Sequence, residues 1–183
     1  MVNRLIVNWV YGGFLAGVLL LALAPILTHS WPASLVCTFL CLPIYMLHQY
    51  EEHDNDRFRV FLNDAMGKGR EVLSPTAVFV INVPGVWGVI GVSIALAATV
   101  NIGLGLIAVY LVVVNGLIHV AHAIIFRKYN PGLGTAIGLF LPLGGYGIMA
   151  IQKAGGGMAA MHATGVAAAV GIHAVIIAHV ARQ

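Results

Sequence analysis

Apolar residues run through this chain in six stretches, roughly 5–28, 32–50, 75–98, 102–126, 133–152 and 158–181. Each is long enough to cross about 30 Å of hydrocarbon as a helix, which takes about 20 residues. Only 8% of the 183 residues are charged and the mean hydropathy is +0.95. Soluble domains carry about a quarter charged residues, so a water-solvated globule is excluded. The expectation is an all-α, polytopic membrane bundle of about six transmembrane helices. It forms a single integral membrane domain over 1–183, with one substantial loop at about 51–74. Arg4 and Ala22-Leu23-Ala24 imitate a signal peptide, but Pro25 disfavours cleavage and the run is long, so a retained first helix is expected.

The bases orient the bundle. With the N-terminus inside, Arg4, Arg57, Arg59, Lys68, Arg70, Arg127, Lys128 and Arg182 fall on the inner side and only Lys153 on the outer. Cytoplasmic loops collect Lys and Arg, so both termini are expected in the cytoplasm. No basic cluster is interleaved with aromatics, so no nucleic-acid partner is expected. Cys37 and Cys41, four apart in an apolar run, read as small packing residues rather than a disulfide framework. Glycines (Gly12, Gly13, Gly17; Gly134, Gly138; Gly157, Gly165, Gly171) predict close helix approach. Pro43, Pro84 and Pro142 lie inside spans, and each leaves a carbonyl one turn earlier without its donor.

All six carboxylates, Glu51, Glu52, Asp54, Asp56, Asp64 and Glu71, fall in one short segment, while eight histidines are spread along the chain. Once the helices are oriented, His48, His53, His119, His122, His173 and His179 join the acids in the inner third, whereas His29 and His162 lie on the other side. Intramembrane ionisable groups are costly and usually face the bundle interior with a partner. His48, Glu51 and Glu52 stand at i, i+3 and i+4, one face of a helix. His48 and Glu52 can hold one metal, with Glu51 beside it as a base; alternatively a glutamate bridges two metals. Asn115, His119 and His122 form a second stripe at i, i+4 and i+7. His173 is favoured as a further ligand, and His179 is an additional candidate. Asp54, Asp56, Arg57 and Arg59 read as solvation of the loop. Nitrogen and oxygen donors without thiolate suit zinc, iron or manganese, as one or two ions.

His48-Gln49-Tyr50-Glu51-Glu52 at a helix end resembles the defining motif of the HXXEE family of small membrane proteins. Asn115-Gly-Leu-Ile-His119 is similar to that family's Asn-xxx-His element, and Tyr129-Asn130-Pro131-Gly132 to its Tyr-x-Pro-Gly element. The resemblance implies site roles for His48, Glu51, Glu52, Asn115 and His119, adds the turn at 129–132, and implies no activity. Pro131-Gly132 is a turn by its backbone chemistry.

These residues suit a metal-dependent enzyme at the cytoplasmic membrane face, acting on a lipid or a hydrophobic small molecule. Hydrolysis is the favoured reaction, with Glu51 as base and Asn115 orienting the substrate. The alternatives are a di-iron-type oxidoreductase, a proton- or metal-coupled transporter, and a protein whose histidines only join helices. A homo-oligomer is compatible with each.

Overall fold

The computed structural model describes residues 2–66 and 70–182, and no strand occurs among them. Lys68, one of the bases assigned to the inner side, lies outside the described residues. Six stretches of helix are long and apolar enough to span a membrane. We label the helices α1 (Val2–Leu27), α2 (Ala33–His53), α3 (Arg57–Met66), α4 (Pro75–Thr99), α5 (Ile102–Phe126), α6 (Leu133–Lys153) and α7 (Ala159–Ala181). Five of the expected spans coincide with these to within a few residues. The second does not stop near 50 but runs helically to His53, bends, and resumes as α3. The segment 51–74, expected as a loop, is therefore largely helix. The bend is made by Asn55 and Asp56, whose φ values of 52° and 62° break the helical path without a proline or glycine. Its charges pair locally: Arg57 with Asp54, and Arg59 with Asp56 and Glu71.

Burial separates scaffold from periphery. α2 and α5 are the most buried spans, whereas α1 and α7 are the least. Leu106, Val109, Leu111 and Val112 of α5 are fully enclosed and pack with Cys41, Ile90, Phe140 and Ile151. Cys37 and Cys41 are free, buried thiols, in keeping with a packing role. The outward faces of α1 and α7 carry exposed Leu15, Leu19, Val170 and Val175, a surface that suits lipid rather than water.

Close approach is confined to some of the glycines. A Cβ on Gly165 would stand 2.7 Å from the Leu106 carbonyl oxygen, so α7 can lie on α5 only because that carbon is missing. Gly12, Gly138 and Gly171 meet nothing within 4 Å and serve no such contact. Two spans are locally widened into π-helix, Ile81–Trp87 around Pro84 and Ala136–Phe140 just before Pro142. Proline withholds a backbone donor and pushes on the preceding turn, and a wider turn absorbs both effects. Both widened turns abut the end of α2 and aim Asn82 and Phe140 at it.

Candidate metal centre

The last two turns of α2 divide their side chains among three neighbours. Gln49 faces α4, donating to the Asn82 Oδ1 at 2.8 Å and accepting from the Trp87 indole at 2.6 Å. Glu51 faces the start of α6. His48 and Glu52, one turn apart, face α5 and meet His119 there. His48 is fully buried, and Glu52, His53 and His119 are each 6% exposed.

Three donor atoms converge. His48 Nε2 lies 3.6 Å from Glu52 Oε2, and His119 Nε2 lies 3.5 Å from Glu52 Oε1. Ligand atoms of all three residues lie within 4.8 Å of one another, so His48, Glu52 and His119 are placed to hold a metal ion. Ligands at about 2.0–2.1 Å from a tetrahedral ion stand roughly 3.3–3.4 Å apart, slightly less than either imidazole–carboxylate separation, each of which runs to a different oxygen of Glu52.

The hydrogen bonds behind the imidazoles fix which ring nitrogen carries the proton. Thr135 Oγ1 donates to the Glu51 carboxylate and sits 2.8 Å from His48 Nδ1. With its one proton given away, the hydroxyl must accept from His48, which puts the proton on Nδ1 and leaves the lone pair on Nε2. Asn130 donates its amide to the His119 backbone carbonyl at 3.0 Å, so its Oδ1 accepts from His119 Nδ1 at 2.5 Å. In the neutral form of each ring an Nε2 lone pair therefore points at a buried carboxylate, and His48 Nε2 has no hydrogen-bond partner. Two neutral imidazoles and an anion facing one another call for a cation between them, either a metal ion or a proton on His119. Imidazole ligands oriented through their other nitrogen are the usual arrangement around a metal. His53 Nε2 lies 3.2 Å from Glu52 Oε2 and is the remaining group that can donate to it.

Glu51 does something different. Its carboxylate accepts from the Tyr129 hydroxyl at 2.6 Å, from the Gly134 and Thr135 amides at 3.0 and 2.7 Å, and from the Thr135 hydroxyl. It caps the first turn of α6, where backbone amides lack partners and the helix dipole favours an anion. Burial, and then the hydrogen bond to Glu51, push the Tyr129 phenol above its ordinary pKa, which keeps it a donor. Glu51 is thus outside the three-donor cluster and acts on it through Thr135. Asn115 donates to the Tyr45 hydroxyl at 2.8 Å, and its Oδ1 is buried without a partner.

The remaining sequence candidates lie outside the cluster. His122 packs its ring on Phe126 and Phe61, His173 bonds the Ala169 carbonyl within its own helix, and His179 is exposed on α7. His122 and His173 do share a cavity of about 550 Å³ with Glu52, His53, Asn115 and His119. Most of the other lining groups are apolar side chains of α3, α4 and α7.

Pro131-Gly132 forms the turn expected from its backbone chemistry, and the structure supplies the reason for a place of this turn at the site, which the sequence offers only through the family resemblance. Arg127, at φ 52°, ends α5 and lets the chain fold back beneath His119, bringing Asn130 to its ring. Thr135 carries no sequence signal. His53 carries one, its position directly after Glu52. A Thr135→Val substitution keeps the volume and removes the link between His48 and Glu51. It is expected to weaken divalent-metal affinity about 10–100-fold, read by competition with a chelating dye.

The profile of a family described as "Protein of unknown function with HXXEE motif" matches residues 39–147. No curated protein and no solved structure matches the chain.

Proposed function

The chain belongs to the HXXEE family, whose function is unknown, and we propose from its own residues that it is a metal-dependent membrane enzyme, a hydrolase of a lipid or a hydrophobic small molecule. The observation that carries this is the pair of locked imidazoles and one carboxylate bordering an apolar cavity. Two histidines and a glutamate leave a coordination position free in zinc hydrolases. Bound there, a zinc, iron or manganese ion supplies a polarised carbonyl or phosphoryl oxygen and a water acidified towards neutral pH. One ion fits the one three-donor cluster found among the described residues.

The chain's residues divide the remaining work. His48, Glu52 and His119 hold the ion, and Thr135 and Asn130 hold the two imidazoles in register. Glu51, with four hydrogen bonds already accepted, anchors Thr135 rather than acting as the base expected from spacing. Asn115 Oδ1, buried and unpartnered on the cavity wall, orients water or substrate. The apolar remainder of the cavity excludes bulk water and favours a lipid-like occupant. The distribution of Arg and Lys supports a cytoplasmic position for this end of the bundle. Metal-dependent oxidation is the second reading, since two histidines and one carboxylate also form the facial triad of non-haem iron oxygenases.

Protein purified without a histidine tag and assayed for metal, then incubated with a membrane lipid extract and followed by mass spectrometry, tests the reading. The expected result is about one equivalent of metal per chain and a lipid cleaved with uptake of water. A product gaining one oxygen without cleavage favours the second reading. Absence of metal, with thermal stability unchanged by chelators, overturns both.

A further inference from the structure

α7 packs along α5, and its residues Ile172, Ile176 and Ile177 line the cavity together with Val78, Ile81 and Val86 of α4. On the rim, Ile118, Phe126 and Ile177 are 44%, 59% and 60% exposed. These exposed apolar side chains border the chamber on a face that suits lipid, while the exposed Lys128 borders it beyond the end of α5. An occupant can enter from the bilayer past Ile118 and Ile177.

The inner wall is less uniform. Asn115 and His122 lie one turn to either side of His119 on the cavity-facing stripe of α5, and each has a buried polar atom, Oδ1 and Nδ1, with no hydrogen-bond partner. Since Asn115 spends its amide on Tyr45, its Oδ1 can only accept, and what fills it must be a donor. Buried polar groups are rarely left unmatched, and two of them flanking a candidate ligand mark a place for a polar head. Glu52 is the one carboxylate among the lining residues and belongs to the cluster, so nothing on the wall is free to pair a cationic head; Lys128, the one lysine or arginine there, is exposed beyond the end of α5, 13 residues past Asn115, and cannot pair an anionic head held at Asn115.

We infer that the cleft between α4 and α7 takes a single-chain amphiphile with an uncharged, hydroxyl-bearing head, its tail along the apolar α4–α7 walls and its hydroxyl on Asn115 Oδ1 with His122 beside it. The inference rests on reading the cavity as the substrate chamber. Its volume of about 550 Å³ falls within the roughly 300–1,000 Å³ of small-molecule sites, which suits one acyl chain.

The test is native mass spectrometry of the full chain in detergent with two probes of equal chain length, 1-oleoylglycerol and methyl oleate. Wild type is expected to prefer the glycerol ester by roughly tenfold, the loss incurred when a buried acceptor goes unmatched. Asn115→Leu, which leaves no acceptor to go unmatched, should bind the two probes equally. His122→Phe, whose ring already sits among Phe61 and Phe126, should reduce the preference and serves if Asn115→Leu does not fold. Equal binding of the two probes by wild type, or an undiminished preference in both variants, overturns the inference. Chelator-treated wild type should keep the preference, because the head is held by α5; a preference that vanishes with the metal assigns the head to the ion and also overturns it. A wild type that carries no metal yet shows the preference removes the catalytic reading and leaves this one standing.

Discussion

Glu52→Gln protein is expected to be purified with no stoichiometric metal, while wild type carries one. The substitution keeps the volume and can still accept from His53 Nε2, 3.2 Å away in the parent, so the packing around α2 survives. What disappears is the negative charge toward which His48 Nε2 and His119 Nε2 point from 3.6 and 3.5 Å. A neutral amide is a poor ligand for zinc or manganese, and removing one of three protein ligands costs more than the 10–100-fold lost with an outer-shell partner. Added metal at 100 times its Kd stabilises a protein by about 2.7 kcal/mol. Wild type should therefore gain thermal stability when titrated with zinc, and the variant should not. His119→Ala should behave likewise on metal content, with an additional loss of stability from the unmatched Asn130 Oδ1. If Glu52→Gln retains a full equivalent of metal, the three-donor centre is wrong. If neither protein holds metal and chelation changes nothing, imidazolium–carboxylate pairing holds the cluster together instead.

The parts of this centre that sequence reveals are those that depend on one helix at a time. His48 and Glu52 are an i, i+4 pair whatever surrounds them, and hydropathy alone brings the inner ends of α2 and α5 to one depth. Depth does not give azimuth. His173 and His179 share the inner third with the cluster, yet one bonds its own helix and the other is exposed. His122 shares the α5 stripe with His119 but turns its ring to Phe126 and Phe61. Nor does spacing distinguish Glu51 as a base from Glu51 as a helix cap, because the deciding partners, Gly134 and Thr135, are more than 80 residues away in sequence. The π-helical turns in α4 and α6 shift the phase of both helices, so a regular 3.6-residue reading misplaces the faces that carry Asn82 and Phe140. Likewise, the continuation of α2 into α3 was hidden by its charges, which read as loop solvation but pair along a helical turn.

Gly132→Ala should damage the same centre from behind. Gly132 has φ 97°, a conformation that costs an L-residue roughly 1–2 kcal/mol. A Cβ there would stand 2.8 Å from Cε1 of both His48 and His119, closer than such carbons approach, and both rings are hemmed in. His48 is stacked on Phe140 with centroids 4.2 Å apart and tied to Thr135, and His119 is tied to Asn130. Neither ring can retreat without giving up a hydrogen bond, so one methyl group should lower the unfolding midpoint and weaken metal affinity by at least about tenfold together. That joint loss separates a site effect from simple backbone strain, which would lower stability and leave the affinity of the folded fraction unchanged. Gly138→Ala, where a Cβ meets nothing within 4 Å, is the matched control and should leave both quantities alone. A Gly132→Ala protein with parental metal affinity would mean that the two imidazoles are not held against this turn, and that the Tyr-x-Pro-Gly element serves only to end α5.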